Sequence, residues 1–185
     1  MHDSTLTVAT VYSELVEKVQ QQAQLNGDIW RSWVDPAHVS PAQYGDVVDD
    51  QVAWWPCVMA TPVDFSGVER GLDITLNAQF KQFFGQFYGG GLPVSHPRGN
   101  AELLMVWHDS DAERLQQNLI AHLMMKRQLK QRDTLFFAIT DDDDFMLSVL
   151  NSTGEVYLEQ VGREVQQKLA DSLLEFLLQL APRQA

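Results

Sequence analysis

Between residues 135 and 161 three β-rich runs follow one another with only turn residues between them, and that order limits the fold more than any other feature of the chain. Residues 135–140 are separated from 145–150 by Asp141-Asp142-Asp143-Asp144, and Asn151-Ser152-Thr153-Gly154 then turns into 155–161. Short runs of Phe, Ile and Val bounded by turn formers read as strands, and connections this short join antiparallel neighbours. A three-stranded meander is expected.

Helical patterns lie on either side of it. From residue 5 to 25 the apolar residues Val8, Val11, Tyr12, Leu15, Val19 and Ala23 recur at three- and four-residue steps, and Asn26-Gly27 ends the stripe. Residues 74–87 place Leu76, Phe80, Phe83, Phe84 and Phe87 at helical steps, with Gly89-Gly90-Gly91 and Pro93 as the stop. A strand is expected at 102–107. Ser110 and Glu113 match a capping box opening a helix over 111–129, whose core stripe takes Leu115, Leu119, His122 or Leu123, and Met125 or Lys126. Lys126, Arg127 and Lys130 in its last turn suit the negative end of the helix dipole. Leu169, Leu173, Phe176, Leu177 and Leu180 make a final helix stopped by Pro182. Consecutive strands flanked by helices define an α+β fold, with an antiparallel or mixed sheet in one domain spanning residues 1–185. A chain of 185 residues fits one domain with a real core.

Residues 28–71 lack periodicity. Pro36, Pro41, Pro56 and Pro62 punctuate them, with Trp30, Trp33, Tyr44, Trp54 and Trp55 between. The expectation is an ordered wrap holding one short strand, pinned to the core by its aromatics and displaying its acids outward.

Charge narrows the function classes. The net charge is −12, and residues 1–75 carry −8 of it, with Lys18, Arg31 and Arg70 against eleven acids. That field repels phosphate backbones and anionic lipid and attracts cationic partners. No apolar run approaches the ~18–20 residues of a membrane span, and Met1-His2-Asp3-Ser4 has no basic, apolar signal pattern. The lone Cys57 excludes an internal disulfide, in keeping with a reducing cytoplasm.

Motifs for catalysis are sparse. His2, His38, His96, His108 and His122 form no H-x-x-x-H pair, so neither a metal site nor any cofactor is expected. His108 with Asp109 and Asp111 reads more simply as a helix cap than as a ligand set. The Asp141–Asp144 run lacks the alternate spacing and glycine of a calcium loop and reads as a solvated hairpin tip. Gly89-Gly90-Gly91 matches no phosphate-binding loop, and Cys57 has no nucleophile context. Glu69 and Asp73 are an i, i+4 pair that could work with Asp49 or Asp50 as acid and base, but acids are too plentiful for that to be specific. Asp46, Asp49, Asp50, Asp64, Glu69 and Asp73 are equally an acidic face for a basic partner or an ordinary surface.

Several motifs carry a family resemblance. They are Val68-Glu69-Arg70-Gly71-Leu72-Asp73-Ile74, Gln86-Phe87-Tyr88, Trp107-His108-Asp109-Ser110-Asp111, 117–123, Thr134-Leu135-Phe136, 152–156 and 169–177. In order and spacing they resemble the Syd family; before residue 60 mainly Trp33 and Tyr44-Gly45 fit. The resemblance implies an α+β fold of the SUKH superfamily, which also holds bacterial toxin-immunity proteins. It implies no catalytic residue, and loose attachment to the cytoplasmic face of the inner membrane through SecY. It further implies sequestering of poorly assembled SecY or restraint of the translocase. Cytoplasmic loops of membrane proteins are rich in Lys and Arg, which an acidic partner matches. The expected partner-binding residues are Glu69 and Asp73, then Asp49, Asp50 and Asp64. The rival readings are an immunity-like protein that neutralises a basic toxin and, behind it, an enzyme using Glu69 and a partner acid.

Overall fold

The computed structural model describes residues 6–183, so the reading of Met1 to Ser4 and His2 lies outside them. Thr7 and Thr10 open the first helix by capping one another, each hydroxyl accepting the other's amide. α1 (Val8–Asn26) buries every residue of the expected stripe and Val16 as well. It ends at Gly27, whose left-handed φ of 76° lets its N–H reach the carbonyls of Ala23 and Gln24.

The next segment holds more structure than its pattern announces. β1 (Arg31–Trp33), β2 (Gln43–Val48) and β3 (Gln51–Trp54) form a small antiparallel sheet in the order β1-β3-β2, and β4 (Cys57–Val58) follows. α2 (Ser66–Leu72) then begins inside the supposed wrap. One strand was expected and four are present. The reason is visible in β2, where five successive residues are exposed and no alternation exists to be read. The aromatics also divide. Trp54 is buried, and Trp30 packs 5.1 Å from it and 4.7 Å from Trp55. Trp33 and Tyr44 point to solvent instead.

α3 (Ala78–Phe84) starts where Asn77 accepts the amides of Gln79 and Phe80, and it ends at Gly85. The three glycines therefore do not stop it. β5 (Phe87–Tyr88) intervenes and pairs with β4. Gly89 and Gly90 lie against the Trp54 ring, where a Cβ would come within 2.9 and 3.0 Å of it, so close approach is what requires glycine here.

β6 (Leu92–His96) and β7 (Gly99–Leu103) precede α4 (Asp109–Gln128). The strand expected at 102–107 is thus displaced, since the chain after Leu103 leaves the sheet. β8 (Thr134–Thr140), β9 (Phe145–Leu150) and β10 (Val156–Gln160) are the expected meander, and β11 (Gln167–Ala170), α5 (Leu173–Leu178) and β12 (Ala181–Pro182) complete the chain. Leu169 belongs to β11 rather than to the last helix, because Ser172 accepts the Glu175 amide and restarts the chain as α5. Pro182 sits in β12 at the sheet edge, where a missing donor is tolerated.

The main sheet has seven antiparallel strands in the order β11-β10-β9-β8-β7-β6-β12. Register sets its two faces. Leu135, Val149 and Val156 lie in one row, Phe136, Ser148 and Tyr157 in the next, and successive rows point to opposite sides. Phe137, beside the register shift in β8, meets Phe83 of α3 and Phe176 of α5, both 5.7 Å away, and Tyr12 of α1 stacks 4.6 Å from Phe83. α4 covers the other face, where His122 stands edge-on to Phe136.

Of Met125 or Lys126, it is Lys126 that turns inward and is wholly buried. Its Nζ lies 2.7 Å from Glu159 Oε1 and donates to the Arg163 carbonyl at 3.0 Å, while the Ser148 hydroxyl donates to the other Glu159 oxygen. Nearby, His122 Nε2 is 2.8 Å from Thr134 Oγ1 and 4.0 Å from Glu159. Burial, opposed by the Glu159 charge and aided by Lys126, pulls His122 below the ordinary imidazole range.

K126M leaves Glu159 buried without its cation, and urea titration is expected to show a loss of about 3–5 kcal/mol, most of it recovered in the K126M/E159L double variant. His122 supplies a second test. The unfolded chain takes its proton near pH 6.5, while the folded protein resists until lower pH. The His122 contribution is therefore present above pH 6.5 and lost as pH falls below it. Melting curves between about pH 7.5 and about pH 5.5 are expected to slope less steeply for H122Q than for the parent.

Candidate functional site

The five acids singled out in the sequence fall on two elements. Asp49 and Asp50 form the turn between β2 and β3, both left-handed with φ of 52° and 57°, and both are exposed. Asp tolerates that conformation better than most residues because its short side chain can bond locally. Asp64, Glu69 and Asp73 instead punctuate α2. Asp64 accepts the Ser66 amide and hydroxyl, which hold its carboxyl below the usual range. Asp73 is the left-handed C-cap, its N–H returning to the Glu69 carbonyl.

Glu69 is the least available of the five. Lys81 of α3 sits 2.8 Å from its carboxylate and the Leu76 amide donates to the same oxygen, so Lys81 first and that amide second hold its pKa down. It braces α2 against α3. Asp64 and Glu69 feel each other's charge, and Asp73 acts on Arg127, which pairs with Asp133 and donates to the Leu72 carbonyl. No described hydrogen bond or ion pair joins the hairpin acids to those of α2.

A second cluster was hidden by 70 residues of separation. The His38 and His108 rings stack with centroids 4.7 Å apart, and Asp35 Oδ2 lies 3.0 Å from His38 Nδ1 and 3.5 Å from His108 Nε2. Those three donor atoms all fall within 4.8 Å of one another. The hydrogen bonding decides what they can do. His108 is the N-cap of α4 and its Nδ1 accepts the Asp111 amide, so a neutral ring carries its proton on Nε2 and directs it at Asp35. A cation at Nε2 needs that lone pair, and gaining it puts a proton on Nδ1 against the Asp111 N–H. The cluster as bonded is a latch between the β1–β2 loop and α4. The Asp111 carboxylate also accepts the amide of Trp107, the residue before the cap, so the capping contacts lie two residues before the expected Ser110 and Glu113. The expectation that His108 and Asp111 cap the helix rather than ligate holds, whereas the Ser110 and Glu113 box does not form the N-terminus. Next to it, Asp109 accepts a 2.6 Å bond from the Tyr88 hydroxyl, an interaction that pushes the phenol up to about 12.

A cavity of about 460 Å³ opens between α5 and β7 to β11, with Phe145, Leu158 and Phe176 in its floor and Arg98, Asp141 and Asp142 on its rim. Asp141 is held there by Arg183. Burial raises the Glu102 carboxyl, but Glu102 does not line this cavity.

These features define an α+β protein built on a seven-stranded antiparallel sheet, with acids on two of its surface elements. Among the described residues no helix is long and apolar enough to cross a membrane. The family model for "Syd protein (SUKH-2)" matches residues 8–182. A Protein Syd from Alteromonas mediterranea is 45% identical over 153 residues, covering 83% of this chain and 82% of the relative. Those of Pseudoalteromonas atlantica and Psychromonas ingrahamii are 37% and 38% identical over 146 and 148 residues, at 77% and 80% of this chain and 78% and 80% of theirs. The chain belongs to the Syd family.

Cap chemistry at His108 yields a direct expectation. H108A is expected to lose about 1 kcal/mol in chemical denaturation, while H108N, which restores an acceptor for the Asp111 amide, recovers most of it.

Proposed function

We propose that this chain binds SecY, attaching to the cytoplasmic side of the inner membrane through that partner, and that it sequesters poorly assembled SecY or restrains the translocase. The observation that carries this reading is membership of the Syd family over nearly the whole chain, joined to a net charge of −12 concentrated before residue 76. Lys- and Arg-rich cytoplasmic loops are the natural complement of such a surface.

Asp49, Asp50, Asp64 and Asp73 are the proposed contacts, being exposed and making no ion pair among the described residues. Glu69 lies with Asp64 and Asp73 around α2, with part of its charge taken up by Lys81. Exposed charges of this kind set the association rate and lose their reach when salt shortens the Debye length to below about 10 Å. Binding is therefore fast and salt-labile. The fold and charge equally suit an immunity-like protein facing a basic toxin, which makes SecY dependence the deciding observation.

The D49N/D50N/D64N/D73N variant removes four charges while Asn keeps each turn and cap conformation. With inner-membrane vesicles carrying excess SecY, it is expected to bind about tenfold more weakly than the parent at low salt and equally at high salt. Parental binding that ignores the SecY content of the vesicles overturns the reading.

A further inference from the structure

Fourteen large apolar residues are exposed among the described residues, and eight of them lie between Leu25 and Val58. Three share one surface. The pairing of Trp33 with Gln51 and Gln51 with Val48, and of Arg31 with Ala53 and Ala53 with Tyr44, puts these six residues on the outer side of the β1-β3-β2 sheet. Trp33 is 69% exposed, Val48 53% and Tyr44 43%, with the small Ala53 covered at 7% between Arg31 and Tyr44, and Val52 and Trp54 on the inner side are buried. Trp33 ends the edge strand β1 with its indole largely in water, and Trp is among the residues enriched at the energetic centre of protein interfaces.

The surroundings say what kind of partner fits. Asp46, in the irregular middle of β2, and Asp49 and Asp50, in the turn at the end of the same sheet, stand exposed with no ion pair among the described residues, and Arg31 is the sheet's only base. Asp35, on the adjoining loop, is already engaged by His38 and His108. An apolar patch fringed by free carboxylates complements a polypeptide segment that mixes Lys or Arg with apolar side chains. It repels an acidic or phosphorylated one.

We propose that this sheet face is the apolar anchor of the partner site. An apolar side chain of a basic loop packs across β3, between Trp33 on one edge strand and Tyr44 and Val48 on the other, and the loop's cations pair with Asp46, Asp49 and Asp50. The proposal rests on the SecY-binding reading and adds to it a contact that salt does not weaken. The acids govern how fast the loop arrives, and Trp33 governs how long it stays.

The test uses the full chain and SecY reconstituted in lipid nanodiscs, with association and dissociation followed separately. Trp33 is exposed, so W33A opens no core cavity, and an unchanged melting curve confirms the fold. W33A is expected to dissociate at least about tenfold faster with an unchanged association rate and salt dependence, while W33F keeps most of the residence time. D49N/D50N is expected to show the opposite pattern, with slower association and little change in dissociation. If the parent binds and W33A dissociates at the parental rate, the anchor is overturned and the acidic reading stands. If the parent does not bind SecY, both fall. A concentration-dependent dimer of the parent that W33A abolishes in sedimentation assigns the face to a second copy of this chain and also overturns the proposal.

Discussion

The ion pair between Lys126 and Glu159 is the constraint around which the rest is arranged. Both groups are wholly removed from water, at a desolvation cost of several kcal/mol per ion that only close geometry and full hydrogen bonding can offset. The Ser148 hydroxyl and the Arg163 carbonyl provide that bonding, drawing on β9 and on the turn after β10. A slide of α4 along the sheet, or a rotation about its axis, strands a charge in the core. The pair thus works as a register pin for α4 as well as a contact.

Pinning one end of α4 positions the other. Its first turn carries the His108 cap, the Asp109 bond to Tyr88 and the latch to Asp35 and His38. Through that latch the loop following β1 is tied to the helix, and through Trp30, Trp54 and Trp107 the small sheet is stacked onto the same region. A surface that looks peripheral in the chain is therefore anchored by interactions running back to the core. It can present fixed side chains to a partner without ordering them first, which saves conformational entropy on binding.

What could be read from the residues followed the strength of each local pattern. α1, the helix at α4 and the meander have long periodic stretches, and their buried residues match the expected stripes, with the structure deciding the open choice between Met125 and Lys126 for Lys126. Lys126 escaped a correct role because a lysine in a last turn ordinarily serves the helix dipole, and its partner Glu159 is 33 residues away. The strands before residue 60 were missed because they are short, broken by proline and open on one side. The latch of Asp35 with two histidines is a tertiary accident of the loop path that no spacing encodes. Of the expected site residues, Asp64, Glu69 and Asp73 fall in and beside one helix and Asp49 and Asp50 in one turn, and Glu69 is committed to Lys81. Trp33 was visible as a residue and hidden as a surface, since exposure is a property of the fold.

In the proposed recognition the small acidic sheet and α2 make the contacts and the seven-stranded sheet is scaffold. Hydrogen–deuterium exchange of the full chain with and without SecY nanodiscs tests it most directly, because it reports every backbone segment at once. The account predicts slowed exchange across residues 31–54 and 64–73 with the strands around the cavity unchanged. Protection confined to residues 96–101 and 140–147, at the cavity mouth, contradicts it and moves recognition to the opposite end of the molecule's chemistry, the apolar floor beneath Asp141 and Asp142.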